Sequence, residues 1–337
     1  MILIDALYIN TGGGLNLLNT LFDSLKNKNN DYFLLLDYRL KDQIILPKNI
    51  NNKNLVYKKA TLFNRHIFYL KNKNKYNKIF TFASLPPSLK LNIPVYTYFH
   101  NLNLLINSHK LYSTKFYFSA FKKYIFFLFH NNTDYWIVQT KSVSNILLQH
   151  PLFTNRKIII LPFFDILNHV EITKIDNRKN INFIYVSEYY PHKNHNNLIK
   201  AFNLFYKSNK NTTLYLTINK ANIDSNLIEE TSGVIYLGKL NKNDLSEFYK
   251  KMDIVIYPSL YESFGLGLIE AAQYNLPIIA SNLKYVYDVV TPNDVFDPND
   301  IFDICLKMSD YKNILNKKST LKIENKINEI INLITNE

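Results

Sequence analysis

Short apolar, β-branched runs alternate along this chain with longer stretches in which apolar residues recur every three or four positions. The first pattern is that of buried strands, the second that of helices. In the first half, strands are predicted at Ile2–Ile9, Tyr32–Asp37, Lys78–Phe82, Val95–Phe99, Trp136–Gln139 and Lys157–Leu161, with a helix over Leu15–Leu25. The second half repeats the theme at Asn182–Val186, Thr213–Ile218, Val234–Leu237, Ile254–Tyr257 and Ile278–Ala280. Alternation of this kind implies an α/β fold of mostly parallel sheets with helices on both faces. At 337 residues the chain exceeds one typical core and fits two doubly wound, Rossmann-like domains of about 150 residues each. The predicted division is a first domain over 1–165, a linker over 166–180, a second domain over 181–310 and a terminal segment over 311–337. Within that last segment, Leu321, Ile323, Ile327, Ile330, Ile331 and Ile334 predict one amphipathic helix over Lys317–Thr335. Open parallel sheets bind ligands beyond the carboxyl ends of their strands, so with two such domains facing each other the site is expected between them.

The segment from Tyr257 to Ser281 carries the densest chemistry. The run Asp253–Ser259 reads as a buried strand, a Ser-Phe-Gly-Leu-Gly turn follows, and Leu268, Ile269, Ala271 and Ala272 open a largely buried helix. A strand, glycine turn and helix in that order aim free backbone N–H groups and the positive end of a helix dipole at an anion. Glu262 and Glu270 flank this turn eight residues apart. Carboxylates repel a phosphate, so the pair suits hydroxyl groups beside one, as in a nucleotide sugar. On spacing alone, a helix-capping Glu262 and an ion-paired Glu270 fit equally well.

This segment resembles the Glu-x7-Glu signature of the retaining glycosyltransferases of family 4, which have the two-domain GT-B fold. The resemblance runs through Tyr236–Ser259, Leu276–Ser281 and Val295–Met308 in order and spacing. It implies that Glu262 is a catalytic-site residue beside the donor sugar's hydroxyls and that Glu270 binds the ribose of the nucleotide. The backbone around Phe264, Gly265 and Leu266 would face the diphosphate or the sugar. Two departures are visible: Gly267 stands where proline is common, and Tyr274-Asn275 replaces a glycine-containing turn. Upstream, Tyr185–Phe202 is similar to the family's diphosphate clamp, and Lys193 matches its lysine. Glu188 stands at the clamp's arginine position, where a carboxylate would repel a diphosphate by a few kcal/mol unless turned aside. Either it is turned aside and His192 or a base from the first domain assists, or donor binding is weaker than usual. His100, at the end of a predicted strand, matches a histidine such transferases place near the donor sugar. The loop with Gly13 and Gly14 would cover donor phosphates or acceptor, and Lys141-Ser142 is a weaker acceptor contact. The terminal helix would cross back to the first domain. The resemblance implies no metal and no organic cofactor.

Charge and composition narrow the class. Residues 1–165 carry 21 Lys/Arg and 7 Asp/Glu, a net of +14, and the remainder nets −1. A basic first domain suggests an anionic partner, although an Asn/Lys-rich composition, as in Lys71–Lys78, explains part of the excess. Lysines and aromatics share one predicted helix over Phe116–Phe129. Core packing is expected for most of its aromatics, with exposed lysines available to an anionic membrane. The apolar run Tyr124–Phe129 is far shorter than the roughly 20 residues that span a bilayer. A single cysteine, Cys305, excludes an intrachain disulfide, and the first residues read as a strand, not a signal peptide. The expected location is cytoplasmic, peripheral at the membrane's inner face. Leu17 occupies the third glycine position of a dinucleotide fingerprint, which argues against NAD. The resemblance thus implies hexose transfer from a nucleotide sugar to a hydroxyl of a glycan, lipid-diphosphate-linked, in bacterial surface polysaccharide (O-antigen or capsule) synthesis. Two other readings stay open: an inactive nucleotide-sugar-binding subunit, to which Glu188 lends weight, and a nucleic-acid-binding protein, which leaves Glu262 and Glu270 unexplained.

Overall fold

The structure, a computed structural model, describes residues 1–26, 32–47, 50–106, 114–167, 180–223 and 232–335. Residues 168–179 of the expected linker lie outside the described residues. The chain forms two compact units, Met1–Asp165 with Glu324–Glu337 (unit 1) and Ile166–Ile323 (unit 2).

Unit 1 is built on a seven-stranded parallel sheet: β1 (Ile2–Ala6), β2 (Tyr32–Asp37), β3 (Leu55–Lys58), β4 (Lys78–Thr81), β5 (Val95–Tyr98), β6 (Tyr135–Val138) and β7 (Lys157–Ile160). Their order is β3-β2-β1-β4-β5-β6-β7, and every neighbouring pair is parallel. Central β1 is buried at all five positions, as a strand covered on both faces must be. Helices α1 (Gly12–Leu25), α2 (Leu62–Asn72), α3 (Thr114–Phe129) and α4 (Lys141–Gln149) connect the strands. The chain turns outward in opposite directions from β1 and β4, so the topological switch point of this sheet lies between them.

Unit 2 holds a six-stranded parallel sheet of β8 (Ile181–Tyr185), β9 (Thr212–Leu216), β10 (Val234–Tyr236), β11 (Ile254–Tyr257), β12 (Ile278–Ser281) and β14 (Asp294–Phe296). The order β10-β9-β8-β11-β12-β14 places its switch point between β8 and β11. Helices α5 (His195–Tyr206), α6 (Lys242–Lys251), α7 (Leu266–Gln273), α8 (Lys284–Val289) and α9 (Ile301–Ser309) complete the unit. Each sheet thus has one crevice that its own topology makes ready for a ligand.

Three expectations are corrected. The helix predicted over Lys317–Thr335 is shorter. A strand, β15 (Thr320–Leu321), pairs antiparallel with β13 (Val290–Thr291), and only Ile327–Thr335 is helical (α10). The reason is visible in the spacing: Leu321 and Ile323 lie two apart, the period of a strand. Asn325 then starts the helix by accepting the Ile327 N–H at 3.1 Å. Helix α10 buries Ile330, Ile331 and Ile334 and packs on α1 within unit 1. Second, the edge strands β3 and β14 were not predicted. They are three or four residues long and mostly half-buried, too short to show a period. Third, among the described side chains of α3, from Phe121 onward, the aromatics divide between core and surface. Phe126 packs on Phe99, Trp136 and Phe153, whereas Phe121, Tyr124 and Leu128 stay exposed. Among the described residues no helix is long and apolar enough to cross a membrane.

Candidate functional site

The switch point of unit 2 assembles the residues singled out in the sequence. Lys193 follows β8 and Glu262 follows β11, and the two side chains meet: Lys193 Nζ donates to Glu262 Oε1 at 2.6 Å. The Tyr257 hydroxyl, at the end of β11, donates to the same oxygen at 3.1 Å. Burial, and then the Glu262 charge, raises the Tyr257 hydroxyl well above its usual pKa, so it remains a donor. Beneath this pair lies a tyrosine frame. The Tyr185 hydroxyl donates to the Lys193 carbonyl at 3.0 Å, which leaves the Ser259 hydroxyl to donate to the Tyr185 oxygen at 2.8 Å. Tyr285 donates to the Ser259 carbonyl at 2.7 Å. Asn194, in the left-handed region at φ 60°, ties the Lys193 turn down further through its amide, which donates to the carbonyls of Pro258 and Pro298. The backbone under both charged groups is therefore fixed, and freedom remains in their side chains.

Helix α7 begins beside Glu262. Gly265 precedes it at φ 78°, a conformation that favours glycine, and no side chain caps the helix. The Leu268 N–H donates to the Gly265 carbonyl at 2.9 Å, and the amides of Leu266 and Gly267 precede that first bond, as at any helix start. Phe264 is buried, so its backbone rather than its ring is what this turn offers a ligand. A Cβ on Gly267 would stand 3.1 Å from the Tyr257 ring and 3.3 Å from the Val186 carbonyl. The departure at Gly267 is thus explained by close packing against Tyr257. The departure at Tyr274-Asn275 is explained as well: Asn275 ends α7 at φ 52°, a conformation asparagine tolerates in place of glycine. Glu270, one turn into α7, accepts from the Tyr249 hydroxyl at 2.9 Å, and Tyr249 stacks on Tyr274 at 4.9 Å.

Glu188 is half-buried beside Tyr190, whose hydroxyl pKa is raised by burial first and then by the Glu188 charge and hydrogen bond. That partner turns the carboxylate to a tyrosine, in the position where an arginine was expected. His192 stacks on Tyr261 at 4.5 Å, and burial lowers its pKa to about 4, so it is neutral at pH 7.

Unit 1 brings together a second set at the ends of its own central strands. Helix α1 starts at Gly12 without a side-chain cap. A Cβ on Gly14 would stand 3.5 Å from His100 Nε2 and 3.3 Å from the Ile9 side chain, so the glycine lets α1 approach the imidazole. The His100 backbone N–H donates to Ser84 Oγ at 3.0 Å, and Ser84 holds φ 60° in the turn after β4. Burial lowers the His100 pKa to about 4, and its Nδ1 has no partner among the described residues. Gly13 lies in the first turn of α1, and Lys141-Ser142 opens α4. Sequence reasoning missed Ser84 and the tyrosines 185, 257 and 285. The signal was present for two of them: Tyr185 and Tyr257 each end a strand otherwise made of Ile, Val, Asn and Phe.

Residues 167–318 match the model of the protein family described as glycosyl transferases group 1. The chain carries a glycosyl transferases group 1 domain. The match covers the Lys193–Glu262 pair, Glu270 and the whole of α7. Among named relatives, the O-antigen chain mannosyltransferase RfbU of Salmonella typhimurium is 29% identical over 116 residues, 32% of each chain. The aligned part therefore spans about a third of that relative. Two solved structures share the fold over nearly the full chain. Sucrose-phosphate synthase from Thermosynechococcus elongatus has a TM-score of 0.68 at 15% identity, covering 99% of this chain and 94% of that one. WaaG, a glycosyltransferase involved in lipopolysaccharide biosynthesis, has a TM-score of 0.68 at 14% identity, covering 100% of both. The fold is of the GT-B class, with two parallel-sheet, Rossmann-like units.

Proposed function

We propose that the protein is a retaining glycosyltransferase that moves a hexose from a nucleotide sugar to a hydroxyl of a glycan acceptor. The observation that carries this reading is the Lys193–Glu262 pair beside the uncapped start of α7, inside the matched family domain. The chemistry follows from the parts. The first-turn amides of α7 with Lys193 neutralise the departing diphosphate, a charge that grows in the transition state. Glu262 accepts hydrogen bonds from hydroxyls of the donor sugar and fixes its orientation, and Glu270 holds the ribose. A neutral His100 offers one donor and one acceptor to the donor sugar. The acceptor hydroxyl attacks from the side the phosphate leaves, and a phosphate oxygen takes its proton. No metal or organic cofactor enters this scheme.

The acceptor in this reading is a growing surface glycan on a lipid diphosphate, with the O-antigen name of RfbU as support and mannose as the first sugar to try. The basic first 165 residues suit such an anion, and the exposed Phe121, Tyr124 and Leu128 on α3 suit shallow contact with an anionic membrane from the cytoplasmic side. Thermal unfolding with UDP, GDP, dTDP, ADP and CMP, with NAD and a random oligonucleotide as controls, tests the reading. One nucleoside diphosphate is expected to raise the melting midpoint, since ligand at a hundred times its dissociation constant adds about 2.7 kcal/mol. That gain is expected to vanish in Glu270→Ala. Stabilisation by the oligonucleotide alone would overturn the reading.

A further inference from the structure

In the reading above, Lys193 serves the diphosphate and Glu262 serves the sugar. In the structure the two meet each other. Oε1 of Glu262 accepts from both Lys193 and Tyr257, and Oε2 accepts no hydrogen bond among the described residues. We infer that this pair makes Glu262 a specificity-determining residue, one that favours the intact nucleotide sugar over the bare nucleoside diphosphate. The inference rests on the transferase reading and deepens it.

A bare diphosphate arriving at the start of α7 finds the Lys193 ammonium already neutralised. It must either draw that ammonium away from Glu262 or tolerate a carboxylate one hydrogen bond from its cation. It offers Glu262 nothing in exchange. The Glu262 side chain is only 9% exposed, so a carboxylate stripped of its cation is poorly served by water. A nucleotide sugar behaves differently because it brings hydroxyl donors. These bond to Glu262, at Oε2 first and then in place of the ammonium, and Lys193 turns to the phosphate without leaving a bare carboxylate behind. The exchange needs only side-chain motion, because Tyr185 and Asn194 hold the Lys193 backbone and Tyr257 holds Oε1. After transfer the hydroxyl donors have left with the sugar. The pair re-forms, the product loses its cation, and release of the spent nucleotide is favoured. The same two side chains thus read the presence of the sugar and report it to the diphosphate.

Calorimetric titration of the full chain tests this with four matched pairs: UDP and UDP-glucose, GDP and GDP-mannose, dTDP and dTDP-glucose, ADP and ADP-glucose. The proteins are the wild type, Glu262→Gln, Lys193→Met and the double variant. For the base that binds, Glu262→Gln is expected to bind the bare diphosphate at least fivefold more tightly. Its affinity for the matched nucleotide sugar is expected to stay level or fall. In the Lys193→Met background the same change is expected to gain less than twofold, because the cation being contested is gone. Unchanged diphosphate affinity in Glu262→Gln, or equal tightening of both ligands, overturns the inference while the transferase reading stands. If the wild type binds neither member of any pair, the transferase reading itself fails and the inference falls with it. Glu262→Ala carries the same expectation as the glutamine variant and replaces it should that variant not fold.

Discussion

In unit 1, Asp5 and Arg65 form a salt bridge of 2.8 Å whose side chains are 0% and 1% exposed; in unit 2, Lys193 and Glu262 form one of 2.6 Å at 16% and 9%. The distances are alike and the surroundings are not. Arg65 also donates to the carbonyls of Leu85 and Pro86, at 2.8 and 2.7 Å. Asp5 also accepts from the Tyr69 hydroxyl at 2.6 Å and from the Leu7 N–H at 3.1 Å. Every nitrogen of the Arg65 guanidinium and both oxygens of Asp5 have a partner within the protein, and the pair is sealed from solvent, so a ligand cannot reach it. The Lys193–Glu262 pair keeps spare donors on Nζ and a spare oxygen at Oε2, at the switch point of its sheet. A closed pair is a scaffold that ties β1 and α2 to the turn after β4, the turn that carries Ser84 and so His100. The open pair is the one proposed above to meet a ligand.

Removal of one partner separates the two most strongly at Arg65. Arg65→Met leaves Asp5 buried without its cation and is expected to cost about 3–5 kcal/mol of stability, read from urea denaturation. A loss below about 1 kcal/mol would mean that the closed pair is no scaffold. Glu262→Ala is expected to do the reverse. Transfer falls at least a hundredfold, about 2.7 kcal/mol in the barrier, while stability changes by less than about 1 kcal/mol. Near-normal turnover in that variant would remove Glu262 from the chemistry and the open pair from the site.

How much of this was legible beforehand follows from the range of each interaction. The strand and helix alternation showed both parallel sheets, because period and run length are local properties. Lys193, Glu262 and Glu270 were singled out through the family resemblance of their segments. Their pairing was not, since Lys193 and Glu262 lie 69 positions apart, and Arg65 and Asp5 lie 60 apart. No window along the chain contains both members. The same limit hid the role of Gly267, which answers to the ring of Tyr257 on the preceding strand. It also hid the partner of Glu188, a tyrosine two positions away whose direction only the folded turn sets. Where the sequence misled, as over residues 317–326, two periods were superposed: strand-like at Leu321 and Ile323, helical from Ile327 onward.

The smallest effect sharpens the comparison at its boundary. His195, the first residue of α5, is 2% exposed; its Nε2 lies 3.1 Å from Ser187 Oγ and its Nδ1 has no partner among the described residues. It is buried like the closed pair yet stands two residues from Lys193, in the open one. Burial lowers its pKa to about 3, and the nearby Lys193 and His192 charges act in the same direction. An unfolded histidine titrates near 6.5, so below that pH the unfolded chain takes up a proton that the folded chain refuses. The stability this neutral ring contributes is therefore whole above about pH 6.5 and is lost as pH falls toward 3, by at most about 1.4 kcal/mol per pH unit. His100 and His192, each lowered to about 4, act over the same range, so removing one histidine flattens the slope without abolishing it. His195→Gln keeps a polar atom near Ser187 and is expected to shed up to one proton's worth of slope between pH 6.5 and 5, measured as urea midpoints at each pH. Equal slopes in wild type and variant would show that the folded protein protonates His195. The charge would then sit beside Lys193, and the cation field offered to a diphosphate would be that of two groups instead of one.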